Sequence, residues 1–262
     1  MNSHTASTRI AGLVISSTLA LVVATAVAQA GAQAGATDVA GKERPQHGAG
    51  APPLIPLPSS DDFAATVDNP YLPFLPGTRW VYRGGTPDEP ERIVVTVLDQ
   101  TKLIEGISAT VVRDTVRVSG EVVEDTLDWY AQDRRGRVWY LGEDSRTYEN
   151  GQVVSREGSW EAGVDGAKAG IVMFDKPRVG EPYRQEYYAG HAEDQATFLT
   201  LDTRAATKAG VFKHLRMTED TTPLDPAIAE LKFYARGIGV VLEFDLAPDS
   251  GRSELVAFQP PR

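Results

Sequence analysis

Between Thr78 and Phe258 the chain falls into short runs in which apolar and polar residues alternate, broken by Gly, Pro, Asn and Asp. A two-residue period sends successive side chains to opposite faces of a strand, and the breakers mark turns. The pattern predicts strands at Thr78–Arg83, Arg92–Asp99, Ala109–Val118, Val122–Gln132, Arg137–Gly142, Val153–Glu157, Tyr183–Ala189, Ala196–Asp202, Val211–Thr218, Ala229–Ala235, Gly239–Leu246 and Ser253–Phe258. No run with the 3.6-residue period of a helix competes with them. The expected fold class is all-β: a single antiparallel sheet domain built of hairpins, barrel-like or a sandwich.

One hairpin can be read in register. In "EDTLDWYAQDRRGRVWYLGED" the group Asp133-Arg134-Arg135-Gly136 suits a type I turn with a glycine bulge, which sets Asp133 near Arg137. Counting outward, Trp129 falls opposite Leu141, Ala131 opposite Trp139, Tyr130 opposite Tyr140 and Gln132 opposite Val138. Both faces are aromatic, so both need cover. The glycine-rich stretch from Gly142 to Tyr183 has few continuous strand runs and is expected to be a long loop folded over the hairpin.

The stretch "DNPYLPFLPGTRWVYRG" precedes the first strand. Pro70, Pro73 and Pro76 hold it extended, and Tyr71, Leu72, Phe74 and Leu75 are expected to plug one end of the domain.

Upstream the pattern changes twice. Residues 1–28 read as a signal peptide: Arg9, an apolar run, and the small-x-small pattern Ala26-Val27-Ala28, with cleavage near Ala28. Residues 29–67 are rich in Ala, Gly and Pro without an apolar period and are expected to be a disordered tether, leaving 68–262 as the β-rich domain. The absence of cysteine excludes both a lipid-modified cysteine and disulfides, so the mature protein is expected to be secreted without a membrane anchor and held together by its core alone. Removing residues 1–28 takes away Arg9 and no acid, leaving 25 basic against 36 acidic residues, a formal charge of −11. That balance argues against nucleic acid and anionic lipid as partners and favours cationic or neutral ones.

"PYLPFLPGTRWVY" and "FYARGIGVVLE" resemble the opening strand, P-L-x-x-G-x-x-W-x-Y, and the closing hairpin, Y-A-x-G-x-G, of a broad group of uncharacterised exported bacterial β-rich proteins. "DTLDWYAQD", "VWYLGED" and "YRQEYYAGHAEDQA" are similar to a secreted actinobacterial subgroup. The resemblance covers about Asp68 to Leu246 and implies an exported β-rich domain, with no catalytic residues to carry over.

Three sets of residues carry candidate chemistry. Asp128, Trp129, Tyr130, Trp139, Tyr140 and Trp160 suit an aromatic-lined concavity for a small molecule or cell-envelope component. Asp128 then needs a partner, either Arg113 or Arg117 in an ion pair or a proton of its own. In "RQEYYAGHAEDQ", His191 and Glu193 share a face and Glu186 or Asp194 could join them on a divalent metal such as zinc or manganese, with His214 as a further ligand; an acidic solvated turn is the competing reading. Finally Glu143, Asp144, Glu149, Glu157, Glu161 and Asp165 surround Trp160, which would suit a carboxylate-dependent, glycosidase-like hydrolase or calcium, against the reading of solvated loop acids. No cysteine, G-x-S-x-G or phosphate-binding glycine loop supports other catalysis, and a non-enzymatic binding domain is the leading expectation.

Overall fold

Alternation along the chain becomes sixteen strands of one antiparallel sheet in the computed structural model, which describes residues 51–246 and 251–261. In chain order these are β1 Arg79–Gly85, β2 Pro90–Ile104, β3 Ile107–Val118, β4 Glu121–Gln132, β5 Val138–Asp144, β6 Thr147–Glu149, β7 Gln152–Ser155 and β8 Trp160–Glu161. They continue as β9 Lys168–Met173, β10 Pro182–Arg184, β11 Glu186–Tyr187, β12 Gln195–Thr207, β13 Gly210–Thr221, β14 Ala229–Ala235, β15 Gly239–Asp245 and β16 Arg252–Gln259. Among the described residues there is no α-helix, and no helix is long and apolar enough to cross a membrane. The signal peptide expected at 1–28 and the start of the tether, 29–50, lie outside the described residues.

The hydrogen-bonded path runs β10-β12-β13-β14-β15-β16-β1-β2-β3-β4-β5-β9-β11, with β6, β7 and β8 attached beside β4 and β5. The fold is the expected single antiparallel sheet, but the ladder does not close into a barrel. Its two ends belong to one stretch of chain. Tyr183 pairs with Ala196 on β12, Gln185 follows, and Glu186 pairs with Ala169 on β9. Covalent chain joins the two edges where hydrogen bonds do not. The crossing is tight, since a Cβ at Gly170 would collide with the backbone of Arg184 and Gln185.

On β2 the buried positions Glu91, Ile93, Val95 and Val97 alternate with partly exposed ones. Val112 and Val116 on β3 and Tyr82 and Trp80 on β1 meet them from the neighbouring strands. Burying each such aliphatic side chain contributes about 1.5–3 kcal/mol. The proline-rich opening stretch is structural, as expected. Leu72 and Phe74 are buried, Trp80 Nε1 donates to Ile238 O at 2.7 Å, and Tyr82 OH donates to Val240 O at 3.0 Å. Asn69 Nδ2 donates to Gly136 O at 2.7 Å and Gly237 N to Pro70 O at 2.7 Å, so this stretch ties the β4–β5 turn to the β14–β15 turn.

Two expectations are corrected. The described part of the supposed tether, 51–67, is packed on the domain: Pro52 and Val67 are buried, and Ile55, Leu57 and Phe63 lie against the core. Hydrogen bonds fix it to the domain: Arg184 Nε donates to Pro52 O at 2.9 Å, Ala64 N to Gln132 O and Arg134 N to Asp62 O. Composition misled here because four apolar side chains spread among prolines have no period, yet they suffice to seat an extended chain. The glycine-rich stretch after Gly142 is likewise not one long loop, because it carries β6 to β9, and β9 pairs with β5 through Trp139↔Ile171 and Tyr140↔Gly170.

Candidate functional site

The β4–β5 hairpin positions most of the aromatic residues singled out above. Asp133 closes it, accepting from Arg135 N, Arg137 N, Arg137 Nε and Trp139 Nε1 at 2.9, 3.1, 2.6 and 3.0 Å. Gly136 supplies the positive φ of 75° that the turn needs. The expected register holds for Gln132↔Val138, Ala131↔Trp139 and Tyr130↔Tyr140. A bulge then intervenes, so Trp129 faces Gly142 rather than Leu141, and Asp128 faces Glu143 rather than Gly142.

The six expected ligand-binding residues are consequently divided among three environments. Trp139 is fully buried beneath the N-terminal stretch, with Phe63 edge-on at 6.5 Å and the Arg137 guanidinium 5.1 Å from its ring. Asp128, Tyr130 and Tyr140 lie in the interior: Phe74 packs on Tyr130 at 4.6 Å, Tyr130 stacks on Tyr140 at 4.9 Å, and Tyr140 OH donates to Asp128 Oδ1 at 2.7 Å. Trp129 and Trp160 alone of the six line an open cleft.

That cleft, of ≈ 370 Å³, is bounded by Lys102, Trp129, Glu143, Asp144, Trp160 and Glu161, with Asp165, Val164 and Tyr188 at its margin. β8 is held there because Gly142, at φ 133°, lets Glu161 pair against it; a Cβ at this position would strike the backbone oxygen of Trp160. Trp160 in turn stands edge-on to Tyr140 at 5.3 Å, which is the cover expected from the glycine-rich stretch. Lys102 fills the middle. Its Nζ lies 3.3 Å from the Trp129 ring centroid and 2.7 Å from Glu161 Oε2. Asp144 is engaged by Arg146 at 2.6 Å and Arg156 at 2.7 Å, while Glu149 and Glu157 are exposed outside the cleft. Trp129 and Trp160 are only 6% and 5% exposed, so neither indole offers an open face for a sugar ring.

Behind the cleft lies a feature that sequence reading missed. Glu91, Asp114, Glu124 and Asp128 are all buried on the interior face of β2, β3 and β4, and none forms a salt bridge among the described residues. Asp128 therefore has neither expected arginine: Arg113 pairs with Asp125 at 2.7 and 2.8 Å, and Arg117 donates to Gly120 O. Burial raises the Asp128 carboxyl to about 8, against a lowering by the Tyr140 hydrogen bond and a further rise from Glu124. Glu91 and Glu124 are each raised to about 7, chiefly by burial, and Asp114 is pushed well up by burial and then by Asp128, Glu124 and Glu91. A second group continues the same face. Lys232 Nζ lies 3.2 Å from Asp220 and 3.4 Å from Glu230, and Glu243 stands opposite Lys232 in the ladder. Burial opposes the Lys232 charge, but Asp220, Glu243 and Glu230 together hold its pKa high. Burial thus biases Glu91, Asp114, Glu124 and Asp128 toward their protonated forms, in which a carboxyl can donate a hydrogen bond.

The expected metal ligands are not gathered. Glu186 is fully buried, whereas His191 is exposed and stacks on Tyr188 at 4.4 Å. Glu193 caps Gly190 N at 2.9 Å and faces Arg184 at 3.7 Å. His214, at φ 56°, pairs with exposed Asp202 on another hairpin. Among the described residues no three His, Cys, Asp or Glu side chains converge to hold a metal ion, because the bend at Gly190 turns His191 outward while alternation turns Glu186 inward.

No family model matches the chain. No curated protein matches it either. Among solved structures, it is similar to a protein from Bacteroides fragilis NCTC 9343 described as exported with a YmcC-like fold, at 15% identity and TM-score 0.42, over 72% of this chain and 98% of that one. A protein from Parabacteroides distasonis ATCC 8503 described as a lipoprotein is similar at 12% identity and TM-score 0.40, over 73% of this chain and 100% of that one.

Proposed function

We propose that this chain is an exported, non-enzymatic β-domain that binds a small molecule or cell-envelope component carrying an ammonium group, in the cleft between Trp129 and Trp160. The observation that carries this reading is Lys102: its ammonium sits on the face of Trp129 and against Glu161, at 3.3 and 2.7 Å. An indole face with a carboxylate beside it stabilises a cation by about 0.5–2 kcal/mol. The chain's own lysine fills that place, and being about one-third exposed, with a side-chain accessibility of 35%, it can swing out to admit a ligand amine. Stacking of a sugar is disfavoured by the covered indoles, and of the cleft acids Glu161 is occupied by Lys102 and Asp144 by Arg146 and Arg156.

The test is a titration of the intact protein with 1,5-diaminopentane, followed by tryptophan fluorescence, with 1-pentanol and methyl glucoside as neutral controls. The diamine alone is expected to give a saturable change that salt weakens, and Lys102→Met is expected to tighten it by removing the competing ammonium. No response to any of these compounds from a folded protein would end the reading.

A further inference from the structure

The outward face of the sheet carries a charge arrangement opposite to that of the chain as a whole. Where β1, β2 and β3 lie side by side, the ladders place Arg83 directly opposite Arg92, and Arg92 directly opposite Arg117. A second row, Arg79, Thr96 and Arg113, runs parallel to the first, with Val81, Val94 and Thr115 between them. Trp80 and Tyr82 are buried, so alternation turns all five arginines away from the core, and each is partly or fully exposed.

Little on this face neutralises them. Asp125 is taken by Arg113 at 2.7 and 2.8 Å. Glu254, opposite Arg83 on β16, is taken by Arg252 at 3.0 Å and Lys208 at 3.6 Å. Arg117 donates to the backbone oxygen of Gly120 at 3.3 Å. Arg79, Arg83 and Arg92 form no salt bridge among the described residues. Like charges set directly opposite in a ladder destabilise it. In a chain with 36 acidic residues and a formal charge of −10, a row of three arginines without acidic partners among the described residues is a local reversal that an incoming anion would relieve.

We infer that this face binds a linear polymer bearing repeated phosphate groups, laid across β1, β2 and β3 with Arg83, Arg92 and Arg117 each taking a phosphate. Adjacent strands are about 4.8 Å apart, so the row spans roughly 10 Å and repeats at a spacing one small anion cannot span. Guanidinium forks match phosphate oxygens in pairs. A thread meets the row alone, whereas a flat anionic membrane would also meet the repulsion of the surrounding acidic surface. This site is independent of the cleft at Trp129 and Trp160.

The experiment compares the intact protein with Arg83→Gln/Arg92→Gln/Arg117→Gln, using labelled inorganic polyphosphate and fluorescence anisotropy over a salt series. Wild type is expected to bind with a log–log salt slope of roughly −2, at about −0.7 per phosphate contacted on a flexible strand. The triple variant is expected to bind at least tenfold more weakly with a slope near zero. Its melting temperature without ligand is expected to rise, because the repulsion is gone; arginines with a purely structural role would lower it. If the triple variant does not fold, Arg92→Gln, at the centre of the row, takes its place. Polyphosphate binding unchanged by these substitutions overturns the inference. So does orthophosphate binding as tightly as the polymer, or sedimentation with phosphatidylglycerol vesicles in place of polyphosphate binding.

Discussion

Tyr140 donates its phenolic hydrogen to Asp128 Oδ1 across 2.7 Å, inside a face where Glu91, Asp114 and Glu124 add three more carboxyls. Tyr140→Phe removes the donor while keeping the ring stacked on Tyr130. The expected loss is about 1–3 kcal/mol, the cost of leaving a buried acceptor unsatisfied. Urea denaturation measures it, and equal stability of the two proteins would show that the hydroxyl is dispensable.

Stability is expected to fall as pH rises from acid to mildly alkaline. The carboxyls of Glu91, Glu124 and Glu230, raised to about 7, and of Asp128, raised to about 8, bind protons in the folded chain that they lose near pH 4 once unfolded. Raised folded values mean that this stability is fully present below the unfolded values and is lost as pH climbs through 7 and 8. Melting curves between about pH 5 and pH 9 are expected to show a falling midpoint, and Glu124→Gln to flatten the fall. A midpoint that rises with pH would contradict the interior as described.

Lys232 is 3% exposed and meets Asp220 and Glu230. Lys232→Met leaves those acids without their cation and is expected to cost about 3–5 kcal/mol, as for other broken buried pairs. Part of the loss should return at low pH, when Glu230, raised to about 7, is protonated. Denaturant midpoints at two pH values test both statements.

Gly142→Ala puts a Cβ into the backbone of β8, 2.9 Å from Glu161 Cα, at a φ of 133°. The expected destabilisation is about 1–3 kcal/mol. Because β8 carries Trp160 and Glu161, the response to 1,5-diaminopentane should weaken as well. A variant with wild-type binding and stability would mean that β8 moves freely.

Strands whose apolar positions face inward were legible: Ala229–Ala235 was read to its ends, and the Asp133 turn to its register. In "EVVEDTLDWY" the same alternation misleads, because the polar set Glu124, Thr126 and Asp128 faces inward while Asp125, Leu127 and Trp129 face the other way. Nothing local distinguishes that inverted phase from the ordinary one. Only the aromatic residues beside it mark Asp128 in the sequence. Trp129 and Trp160 were legible as site residues, but Lys102 was not, since it reaches Trp129 across the width of β3. The row from Arg83 to Arg117 exists only once three strands are in register.

The crossing of Pro182–Tyr187 between the sheet's two ends has a consequence for crowded surroundings. A wide antiparallel sheet ordinarily presents two long rims of unsatisfied amide and carbonyl groups, each a template for another chain. Here each rim is capped only in part, by pieces of one hexapeptide, three residues on β12 and two on β9. Beyond that cap the outer edge of β12 from Leu199 to Thr207 has no strand partner among the described residues, so it is the template that a foreign strand would extend. Loosening the crossing, as Gly170→Ala would, exposes both rims at once.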